Sequence, residues 1–178
     1  MKTLETQRLL LRTFCEEDLD DFYEYAKSPK VGPNAGWPPH NNKEESRKIL
    51  DRFMEEDEVW AIVLKEKNKL IGSIGLHHDR LRSANEVLML GYVLSDEYWG
   101  QGLMTEACHA VISFAFESLG IQLLTVHYYA HNLRSRRVIE KCGFQYEGTL
   151  RRCAKLYDGS IHDLVCYSMT RQEWQDSL

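Results

Sequence analysis

Apolar positions recur at two different periods along the chain, and each change of period marks an element. Leu9, Leu10 and Leu11 form a short apolar run that predicts a strand. Behind Thr13 and Glu16, spaced as a capping box, Leu19, Phe22, Tyr23 and Ala26 follow the i, i+3, i+4, i+7 spacing of a helix. Ser28-Pro29 stops that helix, because a residue before proline is pushed out of the α region. Residues 31–42, rich in Gly, Pro and Asn, read as a loop. A second helix begins near Asn42, with Glu45 three residues on and Ile49, Leu50, Phe53 and Met54 as its apolar stripe.

The period then changes to that of strands. Val59–Leu64 and Leu70–Leu76 are β-type runs joined by the polar Glu66-Lys67-Asn68, which predicts a hairpin. Val87–Leu94 is continuously apolar and is expected to be covered on both faces. A glycine-bearing turn leads into a helix with Ala107, Cys108, Val111, Ile112 and Ala115 inward. Leu123–Tyr129 reads as a strand and Ser135–Lys141 as a short helix with Gly143 as its stop. From Phe144 to Met169 the pattern predicts strands around a tight Asp158-Gly159 turn, and Thr170 with Glu173 caps a final helical turn. The order β-α-α-β-β-β-α-β-α-β-β predicts an α/β (α+β) fold. Its mixed, mostly antiparallel central sheet is flanked by helices in a single domain over residues 1–178.

Composition narrows the function. With 43% hydrophobic and 28% charged residues in 178, the chain can bury one sizeable core and is not of disordered type. Its 22 basic and 27 acidic residues leave a net charge of -5, so no broad cationic surface for nucleic acid is expected. Arg134, Arg136, Arg137, Lys141, Arg151 and Arg152 still crowd one stretch, either as a solvated face or against an anionic ligand. The five cysteines lack a C-x-x-C pair, which suits free thiols in a reducing compartment rather than disulfides or a zinc site. No apolar run reaches the roughly 18 residues of a membrane span, and the start lacks a signal-peptide pattern. The expectation is a cytoplasmic protein with no membrane, nucleic-acid or metal partner.

The chemistry is concentrated in Tyr98-Trp99-Gly100-Gln101-Gly102-Leu103-Met104-Thr105-Glu106-Ala107, between a buried strand and an amphipathic helix. Two glycines allow close backbone approach to a ligand. Successive N–H groups at a helix start make a nest for an anion, reinforced by the helix dipole, and a pyrophosphate suits it. A plain strand–helix connection would use the same glycines. A dinucleotide fingerprint is excluded, because Thr105 stands where its last glycine belongs and no strand-then-acid unit follows. A Walker loop is excluded by the missing Gly-Lys-Ser/Thr.

Joint order and spacing along nearly the whole chain resemble the GNAT superfamily of N-acetyltransferases, and within it the RimJ/RimL branch that acetylates ribosomal-protein N-termini. The resemblance is carried by Leu4-Glu5-Thr6 with Arg8-Leu9-Leu10-Leu11-Arg12, Leu70-Ile71-Gly72 with Ile74-Gly75, and Gly91-Tyr92. It continues through Tyr98–Gly102 with Thr105-Glu106-Ala107, then Asn132 with Ser135, Arg137-Val138, Glu140-Lys141 and Gly143-Phe144.

That resemblance implies acetyl-CoA as cosubstrate, with its pyrophosphate on the turn formed by Trp99, Gly100, Gln101, Gly102, Leu103, Met104 and Thr105. Trp99 and Met104 depart from the superfamily's general Gln/Arg-x-x-Gly-x-Gly/Ala pattern, the tryptophan being familiar in the branch. Main-chain groups near Tyr92 and Leu94 would pair with the pantetheine arm as an added strand does. Asn132 would hydrogen-bond pantetheine, and Ser135 would protonate the leaving thiolate, although the same pair reads as a helix cap. Ile139 stands where many members carry a tyrosine, and Met89 where the branch often carries a glutamate, with Glu86 facing the other way. His77, His78 and His127 are the substitute bases.

The acceptor is then a primary amine, either a protein N-terminus or a small molecule. The Gly36–His40 loop with Trp37 and Trp60 forms its pocket wall, unless Trp37 packs onto its own core. The acidic Glu55-Glu56-Asp57-Glu58 hints at a cationic acceptor, although such runs are usually solvated. Exposed strands leave a homodimer open. The alternative reading is a CoA-binding sensor or scaffold with lost catalysis, motivated by Met89 and Ile139.

Overall fold

The computed structural model describes residues 1–56, 58–84 and 86–178. Eight strands are β1 (Leu4–Glu5), β2 (Leu9–Arg12), β3 (Val59–Leu64), β4 (Lys69–His78), β5 (Val87–Leu94), β6 (Leu123–Tyr129), β7 (Gln145–Lys155) and β8 (Ile161–Thr170). The helices are α1 (Leu19–Ala26), α2 (Gly32–Ala35), α3 (Lys43–Glu56), α4 (Leu103–Glu117), α5 (Leu133–Lys141) and α6 (Arg171–Asp176). The sheet order is β1-β2-β3-β4-β5-β6-β8-β7. Pairing is antiparallel for β1–β2, β2–β3, β3–β4, β6–β8 and β7–β8, and parallel for β5–β6. This is the predicted mixed, mostly antiparallel α/β architecture.

Two compact units divide the chain: residues 1–75 with 92–107, and residues 76–91 with 108–178. In the first, β3 is buried along its whole length and packs with Phe14, Phe22, Tyr25, Leu50 and Leu70 into one core. Apolar side chains of α1 and α3 supply the helical side of that core, as the 3.6-residue spacing predicts. In the second unit, Ala107's successors Cys108, Val111, Ile112 and Ala115 face inward from α4, and Phe116 stacks on Trp174 of α6. Seven register pairs join β6 to β8.

Several details depart from the sequence pattern. The first cap lies two residues later than Thr13–Glu16 suggests: the Cys15 N–H donates to Asp18 Oδ2 at 2.9 Å. Asp18 is also held by two Arg12 nitrogens at 2.7 Å each. Burial opposes its charge, but those donors outweigh burial and keep the carboxyl below its ordinary pKa. A short helix, α2, interrupts the 31–42 loop, with Pro33 in its first turn and left-handed Gly36 closing it. β3 and most of β4, rather than β5, are covered on both faces; Leu88, Met89, Gly91, Tyr92 and Val93 are only half-buried. Pairing accounts for the second half of the strand: the ladder from β5 to β6 joins Val87–Met89 to Leu123–Thr125, and Gly91, Tyr92 and Val93 have no β6 partner among the described residues.

Candidate functional site

The turn after β5 is shaped by two left-handed glycines, Gly100 at φ +77° and Gly102 at φ +76°. A side chain is strained in that region, so the alternation needs glycine. Gly100, Gln101 and Gly102 are exposed, while Leu103 and Met104 are buried. Helix α4 starts immediately, its first closing bond running from Glu106 N–H to the Gly102 carbonyl at 3.1 Å. The N–H groups of Leu103, Met104 and Thr105 therefore belong to the first turn, where no intrahelical acceptor exists. Because Met104 sends its side chain inward, its departure from Gly/Ala adds no bulk at the exposed face.

Three side chains hold this turn. The Trp99 indole Nε1 donates to the Leu94 carbonyl at 2.9 Å, and its ring packs on the core of the first unit. Arg8 donates through Nε to Glu106 Oε2 at 2.7 Å and through an NH1 hydrogen to the Gln101 carbonyl at 3.0 Å. Glu106 Oε1 also accepts the Thr6 hydroxyl at 2.6 Å and the Arg8 main-chain N–H at 2.8 Å. Partial burial works against the Glu106 carboxylate, but the donors from Thr6 and Arg8 outweigh it and lower its pKa. Beside this turn lies a cavity of about 280 Å³ lined by Arg8, Leu64, Glu66, Lys67, Glu97, Tyr98, Gln101 and Leu103.

In the second unit, Asn132 caps α5: its side chain accepts the Ser135 main-chain N–H at 3.2 Å. The cap reading of this pair is thus correct, and it leaves the Ser135 hydroxyl out of the capping bond. Ile139 is buried, so α5 presents no ionisable group there. Met89 is half-buried on β5, and His77 lies against Gly91, whose missing Cβ would stand 3.3 Å from the imidazole. His127 is lowered in pKa by burial, against an opposing pull from Asp79. The shift favours the neutral imidazole, the form a base requires.

Of the two expected acceptor-side aromatics, Trp60 is not an exposed wall and Trp37 is half-buried. Trp60 lies on the wholly buried β3 and is 2% exposed, its indole donating to the Lys2 carbonyl at 2.8 Å. Trp37 folds back over Gly32, where a Cβ would meet its ring at 2.5 Å, and packs against the core. Of the acidic run 55–58, Asp57 lies outside the described residues. Conversely, sequence reasoning did not join Arg8 and Thr6 to the turn. Thr6 and Arg8 lie about a hundred positions from Glu106, and no local pattern joins them.

Comparison with known proteins agrees on one family. The acetyltransferase (GNAT) domain family matches residues 8–145. The uncharacterized N-acetyltransferase p20 of Bacillus licheniformis is 27% identical over 98% of this chain and 99% of its own length. The [ribosomal protein uS5]-alanine N-acetyltransferase of Escherichia coli (strain K12) is 31% identical over 53% of this chain and 48% of its own. Among solved structures, a GNAT-family acetyltransferase from Bacillus anthracis superposes with a TM-score of 0.87, covering 97% of this chain and 100% of that one at 23% identity. No helix among the described residues is long and apolar enough to cross a membrane.

Proposed function

This chain belongs to the GNAT acetyltransferase family, and from that premise we propose that it transfers acetyl from acetyl-CoA to a primary amine by direct attack on the thioester. The enzyme class, an acetyl-CoA-dependent N-acetyltransferase, follows from the family; the acceptor and the site residues are the proposal. The observation that carries the site is the exposed turn with Gly100 and Gly102 in the left-handed region, continued by the first N–H groups of α4. Such donors fit a diphosphate in charge and geometry.

Acetyl-CoA supplies an activated acetyl thioester; the chain's residues bind it, orient it and manage protons. Gly100–Thr105 offer main-chain N–H groups to the diphosphate, and main-chain groups near Tyr92 and Leu94 pair with pantetheine. Asn132 assists at the pantetheine amides while its side chain also caps α5. The Ser135 hydroxyl donates a proton to the departing CoA thiolate, the role the resemblance implies for it. These assignments rest on the family pattern residue by residue.

An amine attacks only in its neutral form, so a proton must leave it. Met89 cannot accept one. An α-amino group with a pKa near 8 already reaches the site partly neutral at pH 7, which reduces the demand for a base. His127, whose pKa burial lowers, is the histidine candidate we favour for the task. A protein N-terminus is the acceptor class supported by the E. coli relative, whose name assigns it an alanine of ribosomal protein uS5, because the only amine of an alanine is its α-amino group. Fold and cosubstrate alone do not dictate an acceptor.

The test is thiol release from acetyl-CoA over a panel of small amines and N-terminal peptides, with mass spectrometry of the products. Acetylated α-amines among the products support the proposal. Binding of CoA with no turnover over the whole panel would favour a sensor, and acetylation confined to lysine side chains would exclude the N-terminal acceptor.

A further inference from the structure

Arg8 lies far from the turn in sequence and touches it at two points. Its NH1 group donates to the Gln101 carbonyl at 3.0 Å and its Nε donates to Glu106 at 2.7 Å. The Gln101 carbonyl and the Gly102 N–H belong to one peptide group, and in a trans peptide they point in opposite directions. Holding the carbonyl toward Arg8 therefore turns the Gly102 N–H away from it. The glycine on each side of Gln101 permits many peptide orientations, so something must choose among them. Glu106 poses a second problem: it is the acidic residue in the first turn of α4, where its charge would repel an anion. Arg8 meets that carboxylate directly, and Thr6 adds its hydroxyl.

We infer that Arg8 is a positioning residue of the diphosphate turn, fixing the Gln101–Gly102 peptide and neutralising Glu106 so that the main-chain donors face an anion. The inference rests on the proposed placement of CoA at this turn. In this role Arg8 works through the Gln101 carbonyl and Glu106. A guanidinium fork suits the task, since it directs two separate N–H groups to two acceptors in fixed geometry, which a lysine ammonium does not. An ordinary ion pair pinning the segment before β2 to α4 would involve Glu106 alone; the bond to the Gln101 carbonyl goes beyond that.

The test compares wild type, Arg8→Ala and Arg8→Lys for binding of CoA by calorimetry and of pantetheine, which lacks the diphosphate, by ligand-observed NMR. Arg8→Ala is expected to weaken CoA about tenfold, the size of losing one charge-assisted hydrogen bond, and to leave pantetheine unchanged. Arg8→Lys is expected to restore little, and it decides the matter should the alanine variant not fold. With an acceptor in hand, KM for acetyl-CoA should rise while kcat stays within about twofold, since the loss is of uniform binding. Wild-type CoA affinity in both variants, or equal losses of CoA and pantetheine, would overturn the inference. A wild-type protein that binds pantetheine but gains nothing from the diphosphate would instead overturn the placement of CoA at this turn, and the role of Arg8 with it.

Discussion

The Trp99 indole and the Leu94 carbonyl, 2.9 Å apart, tie the turn back to the end of the strand that precedes it. One lone pair of that carbonyl is thereby used, so pairing of pantetheine near Leu94 draws on the carbonyl's other lone pair or on neighbouring groups. Trp99→Phe keeps the ring's packing and removes the bond. Expected outcomes are a loss of about 1 kcal/mol in urea unfolding and weaker CoA binding by calorimetry. Unchanged CoA affinity would show that the turn holds its shape without the indole.

Gly102 combines φ +76° with an exposed position, where an added Cβ would lie 3.7 Å from an Arg8 nitrogen. Valine there must bear a strained backbone or reshape the turn, at about 1–2 kcal/mol. The exposed position spares the core, so Gly102→Val should melt only about 2–8 °C below wild type while CoA affinity drops at least about tenfold. A variant with normal CoA affinity would refute the placement of the diphosphate.

At Ser135 the capping bond and the proposed chemistry use different groups. The capping bond uses its main-chain N–H, which alanine retains. Ser135→Ala is therefore expected to keep helix α5 and CoA affinity while kcat falls by about tenfold or more, within the usual worth of a proton donor. Steady-state kinetics with acetyl-CoA varied would check it, and full turnover would remove the residue from the mechanism.

Acid should act through Asp18. Its folded-state pKa lies below the ordinary carboxylate value, because Arg12 and the Cys15 N–H outweigh burial. The unfolded chain binds the proton first as pH falls, so the stabilisation is complete above about pH 4 and is lost as pH drops through the lower folded-state value. Asp18→Asn should cost about 1–3 kcal/mol at neutral pH, and the gap to wild type should close below about pH 4. Urea unfolding across a pH series measures it; a gap constant into strong acid would contradict the assignment.

Much of the fold was legible because periodicity reports burial. The hairpin of β3 and β4, the inward face of α4, the Asn42 cap of α3 and the Thr170–Glu173 cap of α6 all stand where spacing put them. What failed to show was non-local or very short. β1 has two residues, too few for a period, and is defined by its pairing with Leu10 and Leu11. α2 hides in a loop-like composition. Trp60 looked like a pocket aromatic because sequence carries no depth; only the burial of β3 on both faces decides it. At the site, the glycines and the Asn132–Ser135 pair were readable from local chemistry. Arg8 and Thr6 were not, since their acceptors on Glu106 and Gln101 come close only through tertiary folding.

A methyl group at residue 72 would sit 2.3 Å from the Val93 carbonyl oxygen, which is backbone and has no rotamer in which to retreat. Any larger residue must displace the segment that runs on into Leu94 and Trp99. Variation at residue 72, buried and chemically inert, should then masquerade as a ligand defect, and a mutational screen scored on activity alone would misplace it among the binding residues.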